Sequence, residues 1–333
     1  MSNIMVSVIM LCYNHEKYLR EAIESVVNQK TSFDYELIIH DDASTDGSQA
    51  IIREYQAKYP QIIHAILQEE NQYSKKVPIR RTFIDPVIRG KYIASCEGDD
   101  YWSDENKLQS QVDFLESHED YVGCTHNCSI IDKAGNKTNL RRKVYPLCRE
   151  HTYTLLPYEV NSYFPGQTAA MMYRKSAWDL SDQRWESYMK MRTRSGDQKR
   201  NLHLLCQGSI YYMEKEMSAH RVVVDEGDSW SARNRNNRTY EKFVSSIDFR
   251  RYAKAEFGKT FWNYNSTSRA VVEAVKKALT KPNQENKQAL KKIAAEKKGY
   301  VPLAFYTLGL LVVSVPLEII KKILKERNVV KGA

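Results

Sequence analysis

Residues 93–102 read IASCEGDDYW, and this stretch decides the interpretation of the chain. An apolar, strand-like run ends at Cys96 and is followed by three carboxylates within four positions, those of Glu97, Asp99 and Asp100. Like charges this close repel one another and need a cation or a proton to coexist. A solvated turn is the alternative, but acids clustered at the end of a buried strand favour a binding site.

The composition indicates a globular protein whose charge is unevenly distributed. The 333 residues are 42% hydrophobic and 27% charged, which is typical of folded domains. Residues 250–333 hold 18 Lys and Arg against 6 Asp and Glu, a local charge of +12, which leaves −3 for the preceding 249 residues. Such a basic tail could meet nucleic acid, an anionic membrane or only water. No N-terminal signal peptide is visible, so six cysteines without a framework spacing predict reduced thiols.

Strands and helices alternate at short intervals in the first hundred residues. Residues 4–11 are almost continuously apolar, and YELIIH, IIHAIL and KYIASCE read as three further strands, with one-sided helices between them. This alternation predicts a parallel, doubly wound α/β sheet. Ligands bind outside the carboxyl ends of the strands in such sheets. Polar clusters follow the first, second and fourth strands, at 13–14, 41–42 and 97–100, and together they predict a site at that edge.

The residue types in this cluster predict its chemistry. Carboxylates suit Mg²⁺ or Mn²⁺ better than zinc, and these ions share their coordination shell with substrate phosphates. A metal held by carboxylates at the edge of an α/β sheet therefore implies a nucleoside diphosphate. The sequence contains neither GxxxxGK[ST] nor GxGxxG, which excludes P-loop enzymes and nicotinamide dehydrogenases.

Three stretches in the right order resemble inverting family-two glycosyltransferases with the GT-A fold. They are VSVIMLCYNHEKYLREAIESVVNQ, YELIIHDDASTDGS and GKYIASCEGDDYW, and the resemblance covers roughly residues 5–230. It implies an α/β fold of the GT-A type, a doubly wound, mainly parallel sheet with a helical C-terminal extension. It also implies an enzyme that uses a nucleotide-sugar donor and a divalent cation, Mn²⁺ or Mg²⁺.

The resemblance implies roles for particular residues. In the family, the Asp that opens the DDxSxD motif contacts the nucleotide base, and here it is Asp41. An Arg nine positions before the Gly of the next strand lies near the diphosphate, and here it is Arg81. The acids of the DxD-type motif hold the ribose and the metal, and here Glu97 and Asp99 fill those positions. The catalytic base of the family is an Asp in a loop before a later helix, and Asp197 is the best match in this chain. Gly196 stands where the family usually has a Glu. The alternative is that Asp197 only caps the N-terminus of the helix. The expected donor-binding residues are Tyr13, Asn14, Asp41, Arg81, Glu97 and Arg221. The expected metal ligands are Asp99, Asp100 and His220.

The acceptor side is expected to include Trp102, His126 and Gln167. Trp102 could stack on a sugar ring or could equally be a core aromatic. His126 would share one face of a strand with Cys124 and Cys128. This trio has the residue types of a zinc site, but buried thiols beside a core histidine are commoner.

The implied reaction moves one sugar from a UDP-sugar to a glycan or lipid-linked acceptor in bacterial polysaccharide or capsule assembly. Asp197 would deprotonate the acceptor hydroxyl as it attacks the anomeric carbon, and attack from the opposite face inverts the configuration. The missing QxxRW motif of processive synthases favours a single transfer. A non-catalytic membrane scaffold is one alternative. A sugar-nucleotide pyrophosphorylase is another, but it expects a glycine-rich loop where this chain has CYNHEKYL.

The end of the chain suggests an attachment to membranes. Residues 301–320 could form a helix about 30 Å long, as thick as a hydrocarbon core, and lysines flank them on both sides. A buried helix is the alternative, but a location at the cytoplasmic face of the membrane is favoured. No nucleic-acid partner is expected, because the basic tail lacks interleaved aromatics. The expected domains are a GT-A catalytic domain at 1–235 (nucleotide-binding half 1–105, acceptor half 106–235), a basic helical extension at 236–299 and an apolar membrane-associating segment at 300–325.

Overall fold

The computed structural model describes residues 4–139, 150–155, 167–178, 180–193, 196–222, 239–261 and 264–296. The strands are β1 (Val6–Cys12), β2 (Tyr35–Asp41), β3 (Ile63–Leu67), β4 (Tyr92–Ser95), β5 (Tyr101–Trp102), β6 (Tyr121–Ile131), β7 (His151–Tyr153), β8 (Met172–Arg174) and β9 (Ser209–Arg221). The helices are α1 (Glu16–Val27), α2 (Ser48–Lys58), α3 (Lys107–Ser117), α4 (Lys175–Trp178), α5 (Asp182–Met189), α6 (Gly196–Leu205), α7 (Thr239–Phe257), α8 (Tyr264–Thr280) and α9 (Gln284–Ala295).

The chain folds into two compact units. The first contains the described residues of 4–154, 167–178 and 207–222, and the second contains residue 155 and the described residues of 180–206 and 239–296. All nine strands among the described residues belong to one sheet of the first unit. The strand order is β3-β2-β1-β4-β8-β6-β9-β5, and β7 also pairs with β9.

The sheet is parallel in its first half and mixed in its second. β3, β2, β1 and β4 are mutually parallel, as the alternation of strands and helices predicts. β8 then joins β4 and β6 in antiparallel pairs, whereas β6 and β9 are parallel and β5 and β7 run antiparallel to β9. This mixed α/β architecture confirms the predicted fold class, and the parallel half brings the carboxyl ends of β1, β2 and β4 to one edge.

Helix α1 shows why the parallel half is stable. Its apolar residues recur at intervals of three and four, so they form one stripe on the helix surface. These residues are all buried against the sheet, as the periodicity predicts, and they are Leu19, Ala22, Ile23, Val26 and Val27. The facing strand β1 is buried at six of its seven positions, which is the pattern of a strand covered on both faces.

The loops after β1 and β2 are tied together at the carboxyl edge. Asn14 has a positive φ of 57°, and its backbone N–H donates to Ser44 Oγ over 2.9 Å. Its side chain in turn accepts from the backbone N–H of Thr45 over 2.8 Å. The backbone N–H of Glu16 donates to Asp46 over 3.0 Å. These bonds hold the N-terminal end of α1 against the N-terminal end of α2.

The second unit is helical and basic. Helices α7, α8 and α9 enclose a small core whose buried members are Phe243, Val244, Ile247, Ala270, Ala274 and Ile293. Arg192 pairs with Asp248 over 2.8 Å and with Glu296 over 2.5 Å, which links the end of α5 to α7 and α9. Among the helices that the structure describes, none is both long enough and apolar enough to cross a bilayer. The predicted membrane segment at 300–325 lies outside the described residues.

Candidate active site

The acidic stretch forms a tight turn directly after β4. The backbone N–H of Asp100 donates to the carbonyl of Glu97 over 3.0 Å, and the N–H of Gly98 donates to the carbonyl of Leu11 over 3.0 Å. A Cβ at position 98 would lie 2.8 Å from His15 Nδ1, so a side chain here would force the His15 ring to shift. The turn is therefore packed against the end of β1.

Asp100 points inward and is held by the protein's own donors. Its side chain is 0% exposed. Oδ1 accepts from the backbone N–H of Arg221 over 2.8 Å, Oδ2 accepts from Gln167 Nε2 over 2.6 Å, and His220 Nδ1 lies 3.2 Å from both oxygens. His220 Nδ1 also lies 3.0 Å from Gln167 Nε2, and we assign the Nδ1 proton to the bond with Asp100 because a carboxylate can only accept. This burial speaks against the prediction that Asp100 is itself a metal ligand, because an ion would have to displace those donors.

Asp99 and His220 are the members of this group that reach solvent. Their side chains are 36% and 31% exposed, and Asp99 Oδ2 lies 4.0 Å from His15 Nε2. Burial and then the neighbouring Asp100 carboxylate raise the pKa of Asp99. Burial alone would lower the pKa of His220, but the surrounding carboxylates, Asp100 foremost, raise it to about 9. The carboxylates around His220 thus stabilise positive charge at this position.

Arg221, predicted to contact donor phosphates, is engaged inside the protein instead. Its side chain is 3% exposed, Nε donates to the carbonyl of Asp99 over 3.0 Å, and Nη2 pairs with Glu21 over 2.7 Å. The guanidinium also lies 4.3 Å from the centroid of the Tyr18 ring. These contacts make Arg221 an anchor of the acidic turn, and a direct contact of Arg221 with the donor stays a prediction.

The other predicted donor residues differ in how far they reach the surface. Asp41 is buried and accepts from Ser44 N (2.9 Å), Ser44 Oγ (2.5 Å) and Gln49 Nε2 (2.8 Å), so it stabilises its own loop. Four other predicted donor residues are at least partly accessible to solvent. Tyr13 and Asn14 are exposed, and Arg81 and Glu97 are half-buried. A contact of any of these with a nucleotide stays a prediction.

The three predicted acceptor residues all lie in the interior. Trp102 is buried, its Nε1 donates to the carbonyl of Ala169 over 3.0 Å, and Lys107 Nζ lies 4.0 Å from the ring centroid. This favours the core role of Trp102 over stacking on a sugar. His126 is also buried, and its Nδ1 lies 2.8 Å from the carbonyl oxygen of Asn127. Gln167 is buried as well, and its Nε2 donates to Asp100 Oδ2 over 2.6 Å.

The zinc interpretation of the strand β6 cysteines receives no support. Among the residues that the structure describes, no three His, Cys, Asp or Glu side chains are grouped so that they could hold a metal ion. Burial raises the pKa of Cys124 to about 12, and burial lowers the pKa of His126 well below its usual value. A neutral thiol and a neutral imidazole in the core agree with the structural interpretation that the sequence left open.

The predicted base lies in the second unit. Asp197 occupies the first turn of α6, its side chain is 50% exposed, and its carboxylate pairs with Arg200 Nη2 over 3.1 Å. An acid in the first turn also stabilises a helix by facing its positive end, so the geometry agrees with both interpretations of Asp197. A Cβ at Gly196 would meet nothing within 4 Å, so a side chain there would be accommodated.

Comparison with known proteins decides the family. The model of glycosyl transferase family 2 matches residues 7–181, more than half of the chain. The chain belongs to glycosyltransferase family 2. This agrees with the order of motifs in the sequence and with the parallel half-sheet that presents its carboxyl edge.

Relatives of this glycosyltransferase share its N-terminal part. The chain is 42% identical over 134 residues to the uncharacterized protein Mb1547 of Mycobacterium bovis, covering 40% of this chain and 37% of that one. It is 38% identical over 130 residues to EpsE of Bacillus subtilis, which carries a provisional glycosyltransferase name, covering 39% and 45%. It is 36% identical over 118 residues to the minor teichoic acid biosynthesis protein GgaB of Bacillus subtilis, covering 35% and 12%. The chain thus spans less than half the length of these relatives.

Solved structures confirm the fold of the glycosyltransferase. TarS 1–349 of S. aureus in complex with UDP-GlcNAc superposes with a TM-score of 0.51 at 15% identity, over 88% of this chain and 89% of that one. GalNAc-T7 with UDP, GalNAc and Mn²⁺ gives a TM-score of 0.52 at 10% identity, over 88% and 55%. At these identities the likeness concerns the GT-A fold alone.

One buried charge of this glycosyltransferase was missed at the sequence level. Lys107 at the start of α3 is fully buried, and its Nζ donates to Gln111 Oε1 over 2.6 Å. Gln111 in turn donates to the carbonyl of Ala170 over 3.0 Å. The signal was available, since positions 107 and 111 fall on the same helical stripe as Leu108 and Val112.

Proposed function

We propose that the protein is a metal-dependent, inverting glycosyltransferase that moves a single sugar from a nucleotide-sugar donor to a glycan or lipid-linked acceptor. The observation that carries this proposal is the pair of accessible side chains, Asp99 and His220, at the carboxyl edge of the parallel half-sheet in a family 2 chain. Ligands of parallel sheets bind at this edge. The exposed Tyr13 at the end of β1 supplies an aromatic surface beside it.

A UDP-sugar is the donor that we propose. The solved structure of TarS holds UDP-GlcNAc, and its GT-A fold is similar to that of this chain, which supports a uridine nucleotide as the first candidate. The nucleotide would lie along the ends of β1, β2 and β4, where the loops at 13–16 and 41–48 are braced together. A braced edge is pre-organised, so less ordering is needed when the nucleotide binds.

The residues at this edge fit a divalent cation. Asp99 offers a hard carboxylate oxygen and His220 an imidazole nitrogen, both accessible, and Mn²⁺ or Mg²⁺ commonly binds one or two protein groups and completes its shell with substrate phosphates. When bound, the ion would neutralise charge that develops on the departing diphosphate. Mn²⁺ in the GalNAc-T7 structure supports the choice of ion for the experiments below.

Asp197 is the base that we propose for the acceptor. Its carboxylate is half exposed and can receive a proton from an incoming hydroxyl group. Removal of that proton as the oxygen attacks the anomeric carbon forms the new glycosidic bond while the bond to the diphosphate breaks. Attack from the face opposite the diphosphate inverts the configuration. General-base assistance of this kind contributes typically about 10²–10⁴-fold.

The proposed setting is bacterial surface polysaccharide assembly at the cytoplasmic face of the membrane. The relative GgaB, named for minor teichoic acid biosynthesis, supports a cell-envelope acceptor. The apolar residues 301–320 with their lysine flanks support attachment to an anionic membrane surface. A non-catalytic scaffold is the second candidate, and Gly196 is the observation that favours it, since the family usually has a glutamate before the base.

Nucleotide titrations and one variant test the proposal. Calorimetric titration of the full chain with UDP, GDP, dTDP and CDP, each with and without Mn²⁺, should show tight binding of UDP only with the metal. Asp197→Asn should lower UDP release from a panel of UDP-sugars about 10²–10⁴-fold and leave UDP affinity unchanged. Asp182→Asn, at another acid in the first turn of a helix in the second unit, is the matched control. Turnover that survives Asp197→Asn contradicts the assigned base, and UDP binding without any wild-type turnover favours the scaffold.

A further inference from the structure

We propose that Asp100 is a positioning residue, which holds the His220 ring so that its Nε2 is presented to a divalent cation beside Asp99. The inference rests on the proposed function, because it concerns how the donor-side cation is held. It differs from the sequence-based prediction, in which Asp99, Asp100 and His220 are all expected to bind the metal directly. The structure separates them into an inner carboxylate and two outer groups.

The first step of the argument is the pattern of exposure. Asp100 is 0% exposed, whereas Asp99 and His220 are 36% and 31% exposed. A cation that arrives from solvent therefore meets Asp99 and His220 before it can meet Asp100. Both oxygens of Asp100 are already within hydrogen-bond distance of donors, so direct coordination would leave those donors unpaired in the interior.

The second step is the orientation of the imidazole. His220 Nδ1 lies 3.2 Å from each oxygen of Asp100 and 3.0 Å from Gln167 Nε2, so this nitrogen faces the interior and Nε2 lies on the other side of the ring. In the neutral imidazole, a proton on Nδ1 leaves the lone pair on Nε2. Metal-binding histidines almost always donate their second N–H to a carboxylate or carbonyl in this manner. In the metal-free protein a proton can occupy Nε2, and a cation would take its place.

The third step is the rigidity of the support. Gln167 Oε1 accepts from the backbone N–H of Ala169 over 2.5 Å, so its Nε2 must face Asp100, 2.6 Å away. The turn that carries Gln167 is itself fixed, because Trp102 Nε1 donates to the carbonyl of Ala169 and Gln111 Nε2 to that of Ala170, each over 3.0 Å. Asp100 is thus hydrogen-bonded both to Arg221 of β9 and to Gln167 of this turn.

Asp100→Asn is the sharpest perturbation of this arrangement. Oδ1 and Oδ2 of Asp100 each face an N–H donor, from Arg221 and Gln167 respectively, so either orientation of the new amide sets one N–H against another. The partner of His220 is then no longer fixed. We expect the affinity for Mn²⁺ in the presence of UDP to fall about 10–100-fold, the usual effect of losing such an orienting group.

Electron paramagnetic resonance of bound Mn²⁺ distinguishes positioning from direct ligation. The full-length wild type with Mn²⁺ and UDP should show ¹⁴N coupling from His220, and His220→Ala should abolish it. Asp100→Asn should weaken or abolish the ¹⁴N coupling of the Mn²⁺ that still binds, whereas Asp99→Asn should lower the affinity and keep the coupling. Full ¹⁴N coupling in Asp100→Asn overturns the inference, and a wild type that binds neither Mn²⁺ nor UDP overturns the proposed function first.

Glu36→Gln is the matched control for burial of a carboxylate. Glu36 is fully buried and accepts from Ser7 Oγ over 2.6 Å and from Arg89 Nε over 2.7 Å. It lies near the beginning of β2, about 16 Å along the strand from the edge that holds the site. The control should lose stability but keep the wild-type affinity for Mn²⁺. If Asp100→Asn does not fold, Gln167→Met keeps the carboxylate and removes one clamp, and an unchanged Mn²⁺ affinity there also contradicts the inference.

Discussion

The buried lysine of α3 should give the protein a measurable pH dependence of stability. Lys107 is fully buried, with Nζ 2.6 Å from Gln111 Oε1 and 4.0 Å from the centroid of the Trp102 ring. Burial lowers the pKa of Lys107 to about 7, against a smaller upward effect of the nearby Cys124 and Cys96. The folded protein therefore loses this proton at a pH where an exposed lysine keeps it.

The difference between the two states sets the sign and size of the effect. An unfolded chain keeps the lysine proton up to a pKa of about 10.4, so between pH 7 and pH 10 it binds one more proton than the folded chain. The free energy of unfolding must then rise with pH in this window. At about 1.4 kcal/mol per pH unit, with the folded state half protonated at pH 7, the gain from pH 7 to pH 9 is about 2 kcal/mol.

Lys107→Met isolates this contribution. The variant loses the hydrogen bond to Gln111 and the contact with the Trp102 ring, which changes stability by an amount that depends little on pH. Guanidinium denaturation of both proteins at pH 7, 8 and 9 should show the wild type gaining about 2 kcal/mol relative to the variant. Lys287→Met, at an exposed position of α9, controls for the substitution itself. A difference that stays constant within about 0.5 kcal/mol would refute the reasoning.

Three further substitutions test packing in the fold and the anchoring of the acidic turn. In Gly90→Ala the new Cβ would lie 2.4 Å from the backbone nitrogen of Ser7, so the free energy of unfolding should fall by about 1–3 kcal/mol in the same denaturation assay. Gly196→Ala is the control, because a Cβ there meets open space and should change the free energy of unfolding by less than about 0.5 kcal/mol. Arg221→Lys cannot keep both the bond to the carbonyl of Asp99 and the ion pair of the guanidinium, and it should lower the free energy of unfolding by about 1–3 kcal/mol. Wild-type stability together with lost UDP affinity in that variant would support the direct donor contact.

The parallel half of the fold was predictable from the sequence because its rules are local. The apolar positions of α1 repeat with the helical period, and those residues are the ones that face the sheet. The runs that form β1, β2 and β4 are short, apolar and separated by helices, which determines a parallel arrangement. The same rules place polar residues that follow such strands at one edge, where Asp99 lies.

The mixed half and the direction of each site residue were not predictable in this way. β8 has three residues, Met172–Arg174, and nothing in so short a run specifies that it pairs antiparallel with both β4 and β6. The partners of Trp102 and Gln167 lie 67 positions away in the chain, at Ala169 and Asp100 respectively. A sequence pattern with a period of two or 3.6 residues carries no information about such contacts.

Asp99 and Asp100, two of the three crowded carboxylates, coexist because the fold gives them different surroundings. Asp100 receives a backbone N–H, an amide N–H and an imidazole N–H, so its charge is balanced inside the protein without an ion. The Asp99 side chain is partly accessible, and the backbone carbonyl of Asp99 accepts a hydrogen bond from Arg221 Nε. Gly98, which precedes both, lies close to His15 and to the carbonyl of Leu11 at the end of β1. A cation is then required only for the outer charge, so loss of metal should leave the turn folded, whereas loss of the inner hydrogen bonds should not.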